Sequence, residues 1–284
     1  MSYKDGKWAR QIVELQKDDG TWGTCFHTLS QPVKDKPLTI EQALRRLWVL
    51  GFTKDDPPIR KVLDYMTACL RGERKMDDTW EKTHNWPLYT KLMLSTWVKL
   101  FDPGNELALG FARRWARVIE AAFASGGYDQ DDYTKAYVSE FSSNPRGSRE
   151  TDVIHFYNVL LFEGVLPTQT ENLWIEKVLS HPDGVYYLNS KKQLNIVPET
   201  LASKEASRWL GALELLTGYS CAREKLKFAS DWLNTRMDEG GRWDFGSEAR
   251  DGIYFPLSDS WRKVEDRKGD CTHRVKLFLE KLDK

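Results

Sequence analysis

The stretch Leu15-Gln16-Lys17-Asp18-Asp19-Gly20-Thr21-Trp22-Gly23 decides how this chain is read. Ahead of it, DGKWARQIVELQ has the apolar spacing of an amphipathic helix, and Gly20 supplies the backbone freedom to stop that helix sharply before a large ring. Near the other end Arg236-Met237-Asp238-Glu239-Gly240-Gly241-Arg242-Trp243 makes the same stop. Between them MDDTW, ASGGY and HPDGVY place Trp80, Tyr128 and Tyr186 after short acidic or glycine turns, in nearly even steps along the chain. Even spacing of one turn type marks a repeat architecture.

Each turn is preceded by an amphipathic segment and followed, after a loop, by a more apolar one. The first set is DGKWARQIVELQ, PPIRKVLDYMTACLRG, GNELALGFARRWARVIEAAFASG, ENLWIEKVLSH and SCAREKLKFASDWLNTRM; the second is LTIEQALRRLWVLGF, THNWPLYTKLMLSTWVKLF, ETDVIHFYNVLLFEGV, ASKEASRWLGALELLTGY and GDCTHRVKLFLEKL. Pro57 and Pro58 suit a first helical turn, and Thr, Ser or Asp opens several second-set members where an N-cap belongs. Strand signals are few, the best being a hairpin from Val185 to Pro198. One helical pair cannot bury its apolar face alone, so successive pairs must pack side by side, and a closed ring gives inner and outer helices. The expected fold is all-α, a single (α/α) toroid of about five or six hairpins over residues 1–284. The aromatic turn acts there as a staple, its ring packed against the neighbouring repeat.

Composition excludes several classes. Forty-two basic side chains balance forty-two acidic ones, so no net field draws nucleic acid or an anionic membrane. No apolar run approaches a bilayer span, and MSYKDGKWAR lacks the apolar centre of a secretory signal, so a soluble cytoplasmic protein is expected. Cys25, Cys69, Cys221 and Cys271 are scattered, as reduced thiols are. Twelve tryptophans are roughly three times the usual share and need a purpose.

Gln16 to Trp22 resembles the Q-x(2-5)-G-x-W repeat of squalene and oxidosqualene cyclases, and Arg236 to Trp243 is similar with Arg in place of Gln. The resemblance implies the α/α toroid shared by terpenoid cyclases and protein prenyltransferase β subunits, and a small apolar or isoprenoid ligand in a central aromatic cavity. Asp129-Gln130-Asp131-Asp132 spells the D-x-D-D acid motif of class II terpene cyclases, which implies Asp131 as proton donor with Asp129 and Asp132 beside it. Here Tyr133-Thr134-Lys135 follows where the family continues Thr-Ala, and three acids after Gly126-Gly127 also describe an ordinary capped turn. Prenyltransferases hold zinc with Asp, Cys and His, which directs attention to Cys25 and His27 and to Asp270, Cys271 and His273. Residues two apart on a helix point away from one another, so neither metal nor cofactor is expected.

Inner helices would open toward one mouth of the cavity, and side chains at their starts sit near positive helix ends. The candidates there are His84, Trp86, Asp152, His155, Glu205, Trp209, Asp270, His273 and Arg274, with Asp152 and Asp270 also suited to N-caps. Tyr254, Trp261 and Arg262 belong to a polar aromatic segment that would rim the cavity, Arg262 and Arg274 being suited to a carboxylate or phosphate. The leading expectation is a terpenoid-cyclase-like protein. A carbohydrate-active hydrolase or lyase would use Asp152 with Asp131 or Glu205 as its acid–base pair. A non-catalytic binding scaffold is the third reading, and the need for a partner subunit stays open.

Overall fold

The structure is a computed structural model that describes residues 3–27, 38–76, 78, 85–146, 153–188 and 192–283. Among these residues the secondary structure is helical throughout, without a strand. The chain divides into two compact units, Met1–Phe111 with Asp251–Trp261, and Ala112–Arg250 with Arg262–Lys284.

The first unit holds α1 (Lys7–Glu14), α2 (Ile40–Val49), α3 (Pro57–Arg71) and α4 (Trp86–Phe101), and α5 (Glu106–Ala122) begins in it. Thr39 and Gln42 form a reciprocal capping box that fixes the start of α2. Pro57 and Pro58 open α3, whose amide-poor first turn tolerates them, and Gly72 closes it at φ 77°. Helix α4 is apolar on most of its surface and packs against α3, with Met93, Trp97 and Val98 fully buried. The distant segment 251–261 is tied into this unit by polar bonds. The Arg46 guanidinium donates to the carbonyls of Ile253, at 2.7 Å, and Pro256, while the Trp8 indole donates to Ser258 O at 2.8 Å.

The quoted turn is built as a lock. The buried Trp22 donates its indole N–H to Ile12 O at 2.8 Å, a last-turn carbonyl of α1 that also accepts the C-cap Leu15 N–H at 3.2 Å. The ring therefore staples its own helix. The link to the next hairpin comes from other residues: Gln16 Nε2 donates to Gly20 O at 2.9 Å and to Pro58 O at 2.8 Å. Gly20, at φ 86°, lies so close to α3 that a β-carbon would stand 2.5 Å from Lys61 O.

The second unit contains the rest of α5, α6 (Gln130–Phe141), α7 (Phe156–Leu161), α8 (Thr168–Ser180), α9 (Lys204–Glu214), α10 (Ala222–Lys225), α11 (Lys227–Asn234) and α12 (Val264–Leu282). Its aromatic turn repeats the indole and backbone bonds of the first. Trp243 donates to Leu233 O at 2.7 Å, Asp238 N–H bonds Arg242 O as Lys17 N–H bonds Thr21 O, and Gly241 takes φ 72° where Gly20 takes 86°. In that register Met237, and not Arg236, occupies the place of Gln16, so the two side-chain bonds of Gln16 have no counterpart. Arg236 instead lies over the Trp232 ring at 5.5 Å. Tyr128 and Tyr186 do not reproduce the lock, Tyr128 donating its hydroxyl to Gln130 and Tyr186 standing 39% exposed. Trp80 lies outside the described residues.

Three expectations change here. Helix α6 falls where only a turn was foreseen, because its buried stripe is aromatic: Tyr133 and Tyr137 lie one turn apart, and Tyr137 and Phe141 pack on Trp115 of α5. The Val185–Pro198 hairpin is absent among the described residues; a single parallel bridge joins His155 to Tyr186, followed by turns. The segment read as one helix through Ser220 to Met237 breaks at Leu226 into α10 and α11.

Candidate functional site

The D-x-D-D segment starts α6. Asp129 is its N-cap, the carboxylate accepting from Asp132 N–H at 2.8 Å, which satisfies one of the first-turn amides. Asp132 pairs with Lys135 at 3.0 Å, and this contact is the main reason the Lys135 ammonium titrates above its ordinary range. Asp131 is exposed. An alkene-protonating acid needs a carboxyl kept protonated by burial or by neighbouring charge, and an exposed first-turn position provides no burial.

The other candidates in the second unit are largely engaged in holding helices together. Trp209 is buried, donates to Leu194 O at 2.8 Å and meets Trp232 edge-on at 5.1 Å. Arg274 is buried between α9 and α12. Its guanidinium grips Glu214 through Nε at 2.7 Å and Nη2 at 2.9 Å, and donates to Ser207 Oγ and Ser207 O, each at 2.9 Å. Such a fork leaves the side chain little capacity for a ligand carboxylate. Asp270 and His273 lie inside α12, which starts at Val264, so the N-cap expected at Asp270 is not formed. Asp270 is buried, and burial pushes the His273 imidazole below its ordinary value. Cys271 Sγ accepts from Phe245 N–H at 3.4 Å, and burial raises its thiol to about 12. Glu205 is exposed and paired with Lys192, and Arg262 is exposed. Asp152 and His84 lie outside the described residues.

In the first unit Tyr254 and Trp261 are buried, Trp261 stacking on Phe255 at 4.8 Å, so both pack in its interior. Trp86 opens α4 half-buried and leans on His27 at 5.8 Å. His27 is held by Asp78, a residue that no local pattern singles out. The His27 backbone N–H donates to Asp78 Oδ2 at 3.1 Å, and its Nδ1 lies 2.8 Å from Oδ2 and 3.0 Å from Oδ1. Facing two acceptor oxygens, Nδ1 must carry the proton. Both side chains are buried, with 0% and 1% exposure. Cys25 donates its thiol to His27 O at 3.5 Å.

His155 in the second unit has the opposite tautomer. As N-cap of α7 its Nδ1 accepts from Tyr157 N–H at 3.2 Å, so Nε2 holds the proton. Tyr157, Tyr186 and Tyr187 surround this ring at 5.0, 5.4 and 5.9 Å, the first and last nearly parallel to it.

A cleft of about 520 Å³ lies along α3, lined by Lys54, Arg60, Asp64, Arg71, Val98 and Asp102. Lys54 and Asp102 close one side at 3.0 Å, and the lining carries both signs of charge. Among the described residues no cluster of three or more His, Cys, Asp or Glu is placed to hold a metal ion, and no helix is long and apolar enough to cross a membrane. No protein-family model, no curated protein and no solved structure matches this chain.

Proposed function

We propose that the chain is a toroid of helical hairpins on the repeat of terpenoid cyclases and prenyltransferase β subunits that works as a binding scaffold and not as an acid-initiated cyclase. The observation that carries this reading is the fate of the acid motif. Asp129 caps a helix, Asp132 pairs with a lysine and Asp131 faces outward, so the groups suited to protonating an alkene serve the start of α6. Arg274 and Trp209 are committed to internal bonds in the same way. The twin tryptophan locks support the repeat itself. Four thiols with no disulfide among the described residues favour a reducing compartment.

A second reading retains an apolar, isoprenoid-class ligand and acid–base chemistry, favoured by the buried His27–Asp78 pair beside Trp86. A histidine oriented by a carboxylate is the arrangement a general base requires. One experiment separates the readings. The protein is incubated with farnesyl diphosphate, geranylgeranyl diphosphate and squalene, and extracts are analysed by gas chromatography and mass spectrometry. The scaffold reading expects no product. Product lost in His27→Ala but retained in Asp131→Asn establishes the second reading, and product lost in Asp131→Asn restores the acid motif.

A further inference from the structure

Residues Val185 to Leu188 form a tight turn closed by Leu188 N–H on Val185 O at 3.1 Å. Tyr187 occupies its third position at φ 79°. In a turn of that form the third residue must adopt positive φ, and glycine or asparagine normally takes it because a β-carbon crowds the backbone. A tyrosine there is a backbone outlier, and such outliers persist where the side chain is needed. Closure of the turn itself does not require an aromatic, since glycine would make the same hydrogen bond.

The neighbouring Tyr186 is displayed with equal rigidity. Its N–H donates to Ile154 O at 3.0 Å and its carbonyl accepts from Phe156 N–H at 3.1 Å, so the backbone is held on both sides while the side chain stays 39% exposed. Beneath the turn the buried His155 and Tyr157 rings support Tyr187, which is half-buried. Two adjacent tyrosines are thus presented at a turn tip with their orientations set in advance, which lowers the entropy lost when a ligand stacks on them.

The surroundings select the ligand. Asp183 lies two residues before the turn and Lys192, four after it, is paired with Glu205, so the described charges flanking the turn do not make the cationic field a nucleic acid needs. Flat ring faces edged by hydroxyls suit a neutral pyranose, which has an apolar C–H face and a polar rim. We propose that the Val185–Leu188 turn is a carbohydrate-binding platform on which Tyr186 and Tyr187 stack sugar rings of a neutral oligosaccharide. This inference requires binding alone, so it agrees with the scaffold reading but does not depend on it.

The test is calorimetric titration of the intact protein with cellohexaose, chitohexaose, xylohexaose and maltohexaose, with decaproline and oligo-dT for comparison. Saturable binding of at least one hexasaccharide is expected, weakened by roughly tenfold or more in Tyr186→Ala and in Tyr187→Gly. Tyr187→Gly also relieves the backbone, so its Tm should equal or exceed that of the parent. The proposal is overturned if no hexasaccharide binds, if decaproline or oligo-dT binds in its place, or if both variants bind the sugar as tightly as the parent. A lowered Tm in Tyr187→Gly overturns it as well, because the ring would then be present to brace His155. Hydrolysis of a bound sugar, read by chromatography, would refute the scaffold reading while leaving the platform intact.

Discussion

Alanine at the two turn glycines should have unequal effects although the turns share their indole and backbone bonds. Gly20 and Gly241 hold φ of 86° and 72°, where an L-residue costs about 1–2 kcal/mol. Alanine recovers about 0.4–1 kcal/mol by restricting the unfolded chain, so Gly241→Ala should lose close to 1 kcal/mol. Its β-carbon meets nothing within 4 Å among the described residues. At Gly20 the β-carbon would stand 2.5 Å from Lys61 O, a backbone atom of α3 that cannot swing aside as a side chain does. Turn and helix must separate, adding the ~1–3 kcal/mol typical of overpacking and loosening the bond from Gln16 to Pro58. The expected loss at Gly20 is about 2–4 kcal/mol. Urea unfolding followed by circular dichroism measures both losses, and hydrogen exchange of the α1 and α11 amides assigns each to its own turn. Equal losses, or a larger one at Gly241, would refute the claim that the first turn is a docking surface as well as a helix stop.

Arg274→Ala should destabilise the second unit by about 3–5 kcal/mol, because it strands the Glu214 carboxylate between α9 and α12; Arg274→Met with Glu214→Leu should recover most of that, as thermal denaturation would show. Asp129→Ala should cost about 1 kcal/mol of cap energy, whereas Asp131→Asn should stay within about 0.5 kcal/mol by the same measurement. The Asp244 carboxyl is held below its ordinary range chiefly by the hydrogen bonds from Arg267, with burial opposing. A depressed folded-state value means its contribution is complete above the unfolded carboxylate value of about 3.9 and fades as pH falls through the lower folded one. Asp244→Asn should therefore flatten the stability curve below about pH 4, and an unchanged slope there would remove the assignment.

Much of the helical layout was legible because it depends on local signals. The spacing of Ile59, Val62, Leu63 and Met66, with Pro57 ahead and Gly72 behind, specifies α3 almost to its ends. Helix α6 was not, since its stripe of Tyr133, Tyr137 and Phe141 is sparse and polar at its tips, and becomes a buried face only against Trp115. The start of α12 was misplaced for a related reason: Glu265, Asp266, Arg267 and Lys268 hide the helix from any hydrophobic count, although Arg267 on Asp244 and Lys268 on Asp238 anchor it.

What the sequence determined by itself is the recurrence of a glycine-and-tryptophan stop after an amphipathic helix, because helix periodicity, capping and positive φ are properties of a few neighbouring residues. Which side chains are paired, buried or exposed was decided only by the tertiary structure. His27 gained its meaning from Asp78, 51 residues away, and Arg274 lost its availability to Glu214, 60 residues away. Hydrogen bonds and burial act between groups that the chain brings together late, and no local pattern records such meetings.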